Sequence, residues 1–202
     1  ELASSSFGQS RKMTPIQMIT AACAVVNGGR LMKPYLVEAI EDSEGGVITK
    51  NSPTVVSTPI SAATSATMRK LLYGVVENGG GKNAKVSGWS VGGKTGTAQI
   101  YKNGRIESNL HIGSFVGFAP AENPKVALLV TVNEAQVKPD YGGTTAAPFA
   151  AQIFSEILPL LGVAKTDGSA EAKHVTMSDV TGMNVRDAKA ILRELGIDAV
   201  TD

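Results

Sequence analysis

One cysteine stands in 202 residues, Cys23, so no disulfide can close within the chain. The only histidines are His111 and His174, and with that thiol they make no recognised ligand spacing, so no metal centre is implied. Charge of either sign is never in excess: 19 Lys and Arg face 18 Asp and Glu, for a formal net charge of +1. That balance argues against a chain built to bind nucleic acid or an anionic membrane surface. No apolar run approaches a membrane span, and Glu1-Leu-Ala-Ser-Ser-Ser6 lacks the pattern of a signal peptide. What remains is an ordinary globular composition, 43% hydrophobic and 18% charged, sufficient for one domain and part of another. Cys23 falls on the apolar face of a predicted helix and reads as a packing thiol rather than a nucleophile.

The most informative stretch is Val91-Gly-Gly-Lys-Thr-Gly-Thr-Ala-Gln99. With Gly88 it fits G-x-x-x-x-G-K-[ST], a phosphate-cradling loop. Its Lys94-Thr95-Gly96 equally fits the K-T-G element of serine acyl-transfer enzymes. A phosphate loop needs a buried strand before it and a helix starting at its lysine. Residues 77–87 are glycine-rich and polar, and residues 97–107 are β-favouring and contain Asn103-Gly104, a hairpin-turn signal. Neither flank suits phosphate. On a strand, Lys94 and Gly96 point to one face and Thr95 and Thr97 to the other. An ammonium, two hydroxyls and open edge amides can bind a peptide carboxylate by strand addition. The tripeptide alone leaves open a solvated lysine guarding an edge.

Thr14-Pro15-Ile16-Gln17 reads as a capped helix start, with Ile16, Ile19, Cys23 and Val26 on one face and Asn27-Gly28-Gly29 as the stop. A short strand is predicted over Pro34–Ile40 and a helix over Ser61–Asn78 with Met68, Leu71, Leu72, Val75 and Val76 inward. Strands follow at Val91–Tyr101, Ile112–Ala119 and Val126–Asn133, then a helix over Ala146–Leu161 with Phe149, Ile153, Phe154, Ile157 and Leu158 inward. The pattern predicts an α+β fold, an antiparallel sheet covered by helices. Residues 1–163 form that domain, and the polar residues 164–174 read as a linker. Residues 175–202 begin a small module: a strand at Val175–Val180, a helix capped by Asn184 and ended by Gly196, and a strand from Ile197 to Thr201. So few residues cannot bury a self-sufficient core, so the module is incomplete.

Five segments in order resemble the C-terminal part of a class B penicillin-binding protein, a D,D-transpeptidase of the division or sporulation type. They are Ser6-Phe-Gly-Gln9 with Thr14-Pro-Ile-Gln-Met18 and Ala24-Val-Val-Asn-Gly-Gly29; Gly92-Gly-Lys-Thr-Gly-Thr-Ala-Gln99; Ser114-Phe-Val-Gly-Phe-Ala-Pro120; Gly143-Thr-Thr-Ala-Ala-Pro148; and residues 175–202, which resemble the first half of a PASTA module. The resemblance implies the penicillin-binding/β-lactamase-like transpeptidase fold, no cofactor, and a peptidoglycan stem peptide or a β-lactam antibiotic as ligand. It implies that Lys94 supplies positive charge beside a serine nucleophile, and that Thr95 and Thr97 bond the stem-peptide carboxylate. Gly96 then lets the ligand come close, the Thr97 N–H serves as an oxyanion donor, and Gln99 takes a supporting place further along the edge. It places the domain on the extracytoplasmic face of a bacterial membrane, anchored by an N-terminal segment outside these residues.

The family also needs S-x-x-K and S-x-N motifs. No lysine here has serine three positions before it, Thr67-Met-Arg-Lys70 being nearest, and no S-x-N occurs. Tyr101-Lys-Asn103 mimics a Y-x-N variant but follows K-T-G. Ser4-Ser-Ser6 has no lysine or histidine partner and reads as a loop. The chain is therefore expected to hold the substrate-binding strand without the nucleophile, to need the N-terminal part of the same protein as partner, and to be inactive alone. The alternative is a non-catalytic cell-wall binding or β-lactam-sensing protein of the same fold. A β-lactamase needs a water-activating carboxylate upstream and seldom carries a PASTA-like tail.

Overall fold

The computed structural model describes residues 12–102, 105–168 and 179–194, together with Gly8. The Ser4–Ser6 loop, most of Ser6–Gln9, the Asn103-Gly104 turn, Gly196 and the Ile197–Thr201 strand lie outside the described residues, as do all but the last two residues of Val175–Val180. The chain divides into two compact units, Glu1–Ser169 and Ala170–Asp202.

In the first unit, helix α1 (Pro15–Val26) starts on the expected capping box. The Thr14 hydroxyl accepts the Gln17 N–H at 3.3 Å, and the Gln17 side chain accepts the Thr14 N–H at 3.0 Å. Gly29, at φ +90°, ends the turn beneath Ile60, whose carbonyl a Cβ would overlap. The next stretch departs from the sequence reading. Instead of one strand over Pro34–Ile40 there are four short ones: β1 (Leu31–Met32), β2 (Ala39–Glu41), β3 (Val47–Lys50) and β4 (Val55–Ser57). They pair antiparallel as β1 with β4 and β2 with β3. Pro34 withholds a ladder donor, so the chain runs irregularly until Ala39. Helix α2 (Ala62–Asn78) is capped by Ser61, which accepts the Thr64 N–H at 3.0 Å. It buries Ser65 and Val76, while Leu71, expected inward, is exposed. Ser65 accepts the Gly28 N–H at 3.0 Å and Arg69 donates to the Val26 carbonyl at 3.0 Å, so α2 holds the end of α1.

A 3-10 turn (Lys82–Ala84) leads to the main sheet, an antiparallel meander β5 (Gly92–Lys102), β6 (Arg105–Ala119) and β7 (Val126–Asn133) in that order. Side chains alternate between its two faces. Phe115 and Ala119 on β6 face α4 (Ala147–Leu160), in a core with Ala150, Phe154 and Leu158. Phe118 faces the other way, packed with Val26 and Ala121. The α4 stripe differs from expectation: Ala147, Ala150, Phe154 and Leu158 are buried, whereas Phe149 and Ile153 are exposed. The alanines let the helix come close to the sheet, and one wholly buried phenylalanine contributes about 1.5–3 kcal/mol. A one-turn helix, α3 (Gly142–Thr145), precedes α4.

After α4 the chain returns to the entry of β5. Trp89 Nε1 donates to the Val163 carbonyl at 2.9 Å, the Thr166 N–H to Gly88 at 2.8 Å, and the Ser90 N–H to the Thr166 hydroxyl at 2.7 Å. The Lys165 ammonium lies 5.5 Å over the Trp89 ring. In the second unit, Asn184 caps helix α5 (Val185–Glu194), accepting the Asp187 N–H at 3.0 Å. No helix among the described residues is long and apolar enough to cross a membrane.

Candidate active site

Lys94 lies inside β5, two residues past its start, so the helix that a phosphate loop requires at this lysine is absent. Strand β5 is an edge: β6 pairs with it on one side, and among the described residues no strand pairs with the other. Its outer amides and carbonyls are thus open to an added strand.

The start of β5 is clamped from both faces. A Cβ on Gly92 would overlap the Phe118 ring, and one on Gly93 would overlap the Phe115 ring. Only glycine leaves room for both rings against the strand that carries the lysine. The faces then separate as the alternation requires. Lys94 pairs with Val116 and Gly96 with Ser114, and a Gly96 Cβ would meet the Ser114 hydroxyl. Thr95 pairs with Phe115 and Thr97 with Gly113, on the face covered by α3 and α4. Lys94 is exposed; its stem borders an apolar cavity of about 200 Å³ between α1, α2 and the sheet, and its Nζ donates to the Thr95 carbonyl at 2.9 Å. Gln99 is exposed and pairs with His111.

Helix α3 seats its first residue directly on this strand. Gly142 donates its N–H to the Thr97 hydroxyl oxygen at 3.3 Å, and a Cβ there would overlap the carbonyl oxygens of Gly96 and Ser114. Asn83 ties the next residue down by donating to the Gly143 carbonyl at 2.8 Å.

Sequence reasoning weighed His111 only as a metal ligand. The structure places it against Asp140, Nδ1 to Oδ2 at 2.9 Å, with Lys138 Nζ 3.4 Å from the same oxygen and the Tyr141 ring edge-on at 6.0 Å. The hydrogen bond from His111 holds the buried Asp140 carboxyl below the usual carboxylate range; burial opposes this and Lys138 assists. Gln99 and His111 meet across the hairpin only because the register shifts between Gln99 and Tyr101, and the sequence carries no signal for that shift. Cys23 lines a cavity beside α1, and burial pushes its thiol up, away from nucleophilic use. Among the described residues no group of three His, Cys, Asp or Glu side chains is placed to hold a metal.

A family model described as the penicillin binding protein transpeptidase domain matches residues 1–155. Stage V sporulation protein D of Bacillus subtilis is 41% identical over 207 residues, covering 98% of this chain and 32% of that protein. The probable peptidoglycan D,D-transpeptidase PenA of Neisseria flavescens is 35% identical over 167 residues, covering 82% of this chain and 39% of its own length. Among solved structures, penicillin-binding protein 3 of Mycobacterium tuberculosis complexed with aztreonam superposes with a TM-score of 0.71 at 29% identity, covering 81% of this chain and 38% of that one. The same protein complexed with ampicillin gives 0.70 at 27%, covering 82% and 38%. The chain thus spans about a third of the length of the curated relatives it matches.

Proposed function

The chain belongs to the penicillin-binding protein transpeptidase family, and we propose that it is the C-terminal part of a serine D,D-transpeptidase that cross-links peptidoglycan stem peptides through an acyl-enzyme and is acylated by β-lactams. The observation that carries this reading is the open edge of β5, with Lys94 on one face and Thr95 and Thr97 on the other, seated under Gly142. A stem peptide lies along that edge as an added strand, its terminal carboxylate bonded by the Thr95 and Thr97 hydroxyls. Gly96 admits it without steric cost. Lys94 places its ammonium toward the serine, and the Thr97 N–H is one donor to the oxyanion that forms when the serine oxygen attacks. Gln99 supports the ligand one step further out.

The serine, its lysine and the S-x-N motif are supplied by the rest of the protein, since none occurs in these residues. Residues 1–202 alone therefore bind the ligand's carboxylate end without being acylated. The domain works at the extracytoplasmic face of the membrane, where its substrate lies, held by an anchor outside these residues. Residues 175–202 begin a PASTA-like module, of which α5 is the helix.

Labelled penicillin tests this. The intact protein is expected to form a covalent adduct that survives denaturation, and residues 1–202 are expected to form none. An unlabelled intact protein would overturn the reading. Labelling without cross-linking of a stem-peptide donor would identify a β-lactam sensor instead.

A further inference from the structure

We infer that His111 and Asp140 are positioning residues for the site proposed above, fixing the turn that delivers the Gly142 N–H to the Thr97 hydroxyl. The inference rests on that reading for the site's use, but its geometry stands on its own. Thr97 pairs with Gly113, and His111 is two residues further along β6, so both project toward the face on which α3 sits. Asp140 is only 3% exposed and meets His111 at 2.9 Å. A carboxylate only accepts, so the hydrogen of this bond is on His111 Nδ1. A buried carboxylate is costly without such partners, and here it lies two residues before Gly142. The intervening Tyr141 carbonyl accepts from the N–H groups of Thr144 and Thr145 and from both their hydroxyls. The turn is thus held at both ends: by His111 through Asp140, and by the opening of α3.

Gly142 then bonds Thr97. Its N–H occupies one side of Oγ1 at 3.3 Å, which turns the hydroxyl hydrogen away from that side. Thr97 is the residue to which the carboxylate and one oxyanion donor are assigned. Without the His111–Asp140 bond, the other cation on Asp140 among the described residues is Lys138 at 3.4 Å, and that ion pair spans only residues 138–140 of the turn itself.

In the intact protein, His111→Ala should lower the rate of acylation by a fluorescent penicillin about 10-fold, yet less than about 2-fold in a Thr97→Val background, because coupled residues are non-additive. His111→Asn, which keeps a donor near the Nδ1 position, should restore the rate to within about 3-fold. Hydrogen exchange of the amides in residues 139–146 should quicken at least about 10-fold in His111→Ala and in Asp140→Asn. Losses that multiply fully in the Thr97→Val background, or unchanged exchange over 139–146, would overturn the inference. If the wild-type protein is not acylated at all, the transpeptidase reading fails, and the exchange measurement still decides whether His111 holds the turn.

Discussion

Gly142 has no room for a side chain, because a Cβ there would overlap the carbonyl oxygens of Gly96 and Ser114. Gly142→Ala must lift α3 from the sheet and lengthen the bond to Thr97. We expect a loss of about 1–3 kcal/mol in a urea titration and slower acylation by labelled penicillin. Lys94→Met should instead leave the unfolding free energy from the same titration within about 0.5 kcal/mol, as an exposed side chain allows. It should lower acylation on the order of 100-fold, the scale of removing one preorganised charge or donor. The Asp140 carboxyl, held below its ordinary value in the fold, sets a direction for acid. Its contribution to stability is complete above the unfolded value near ~4 and is lost as pH falls through the lower folded value. Asp140→Asn should therefore be less stable at pH 7 and flatter between about pH 5 and pH 2, as thermal midpoints across that range will show. At this scale the K-T-G motif made Lys94 and the threonines legible. Nothing in the sequence pointed to Asp140, whose role comes from a contact 29 residues away in the chain.

Elements set by local chemistry were readable. The Thr14 cap starts α1 where the sequence places it, α2 begins one residue after the expected Ser61, which caps it, and β7 has the predicted bounds. Thr14→Ala should cost about 1 kcal/mol in urea without changing acylation, since it removes the hydroxyl that accepts the Gln17 N–H, leaves the backbone bond to the Gln17 side chain, and touches nothing in β5. Elements set by tertiary packing were less readable. The α4 sequence is apolar on more than one side, and the small Ala147 and Ala150 occupy the core while Phe149 stays outside. The register of the β5–β6 hairpin was hidden for another reason. Tyr101 pairs with Ile106 but Gln99 with His111, so two residues along β5 match five along β6. That irregularity brings His111 beside Gln99; a regular ladder from the expected turn would have placed Ser108 there.

Across the whole first unit, apolar surface is left uncovered. Ile16 and Phe149 are more than half exposed, Leu36 is fully exposed, and β7 is an apolar edge strand without a second neighbour among the described residues. Such an edge pairs readily with another chain. Residues 1–202 alone should self-associate in sedimentation at micromolar concentration, whereas the intact protein, three times as long if it matches its relatives, should not. The return of residues 163–166 to Gly88–Ser90 has a mechanical consequence. Tension applied to the chain beyond Ser169 does not first unwind α4 from its last turn. It meets Thr166, crosses two hydrogen bonds of 2.7 and 2.8 Å, and is carried into the head of β5. A pull on the chain beyond Ser169 would thus load Gly88–Ser90, the stretch that leads into the strand holding Lys94, before it reached α4.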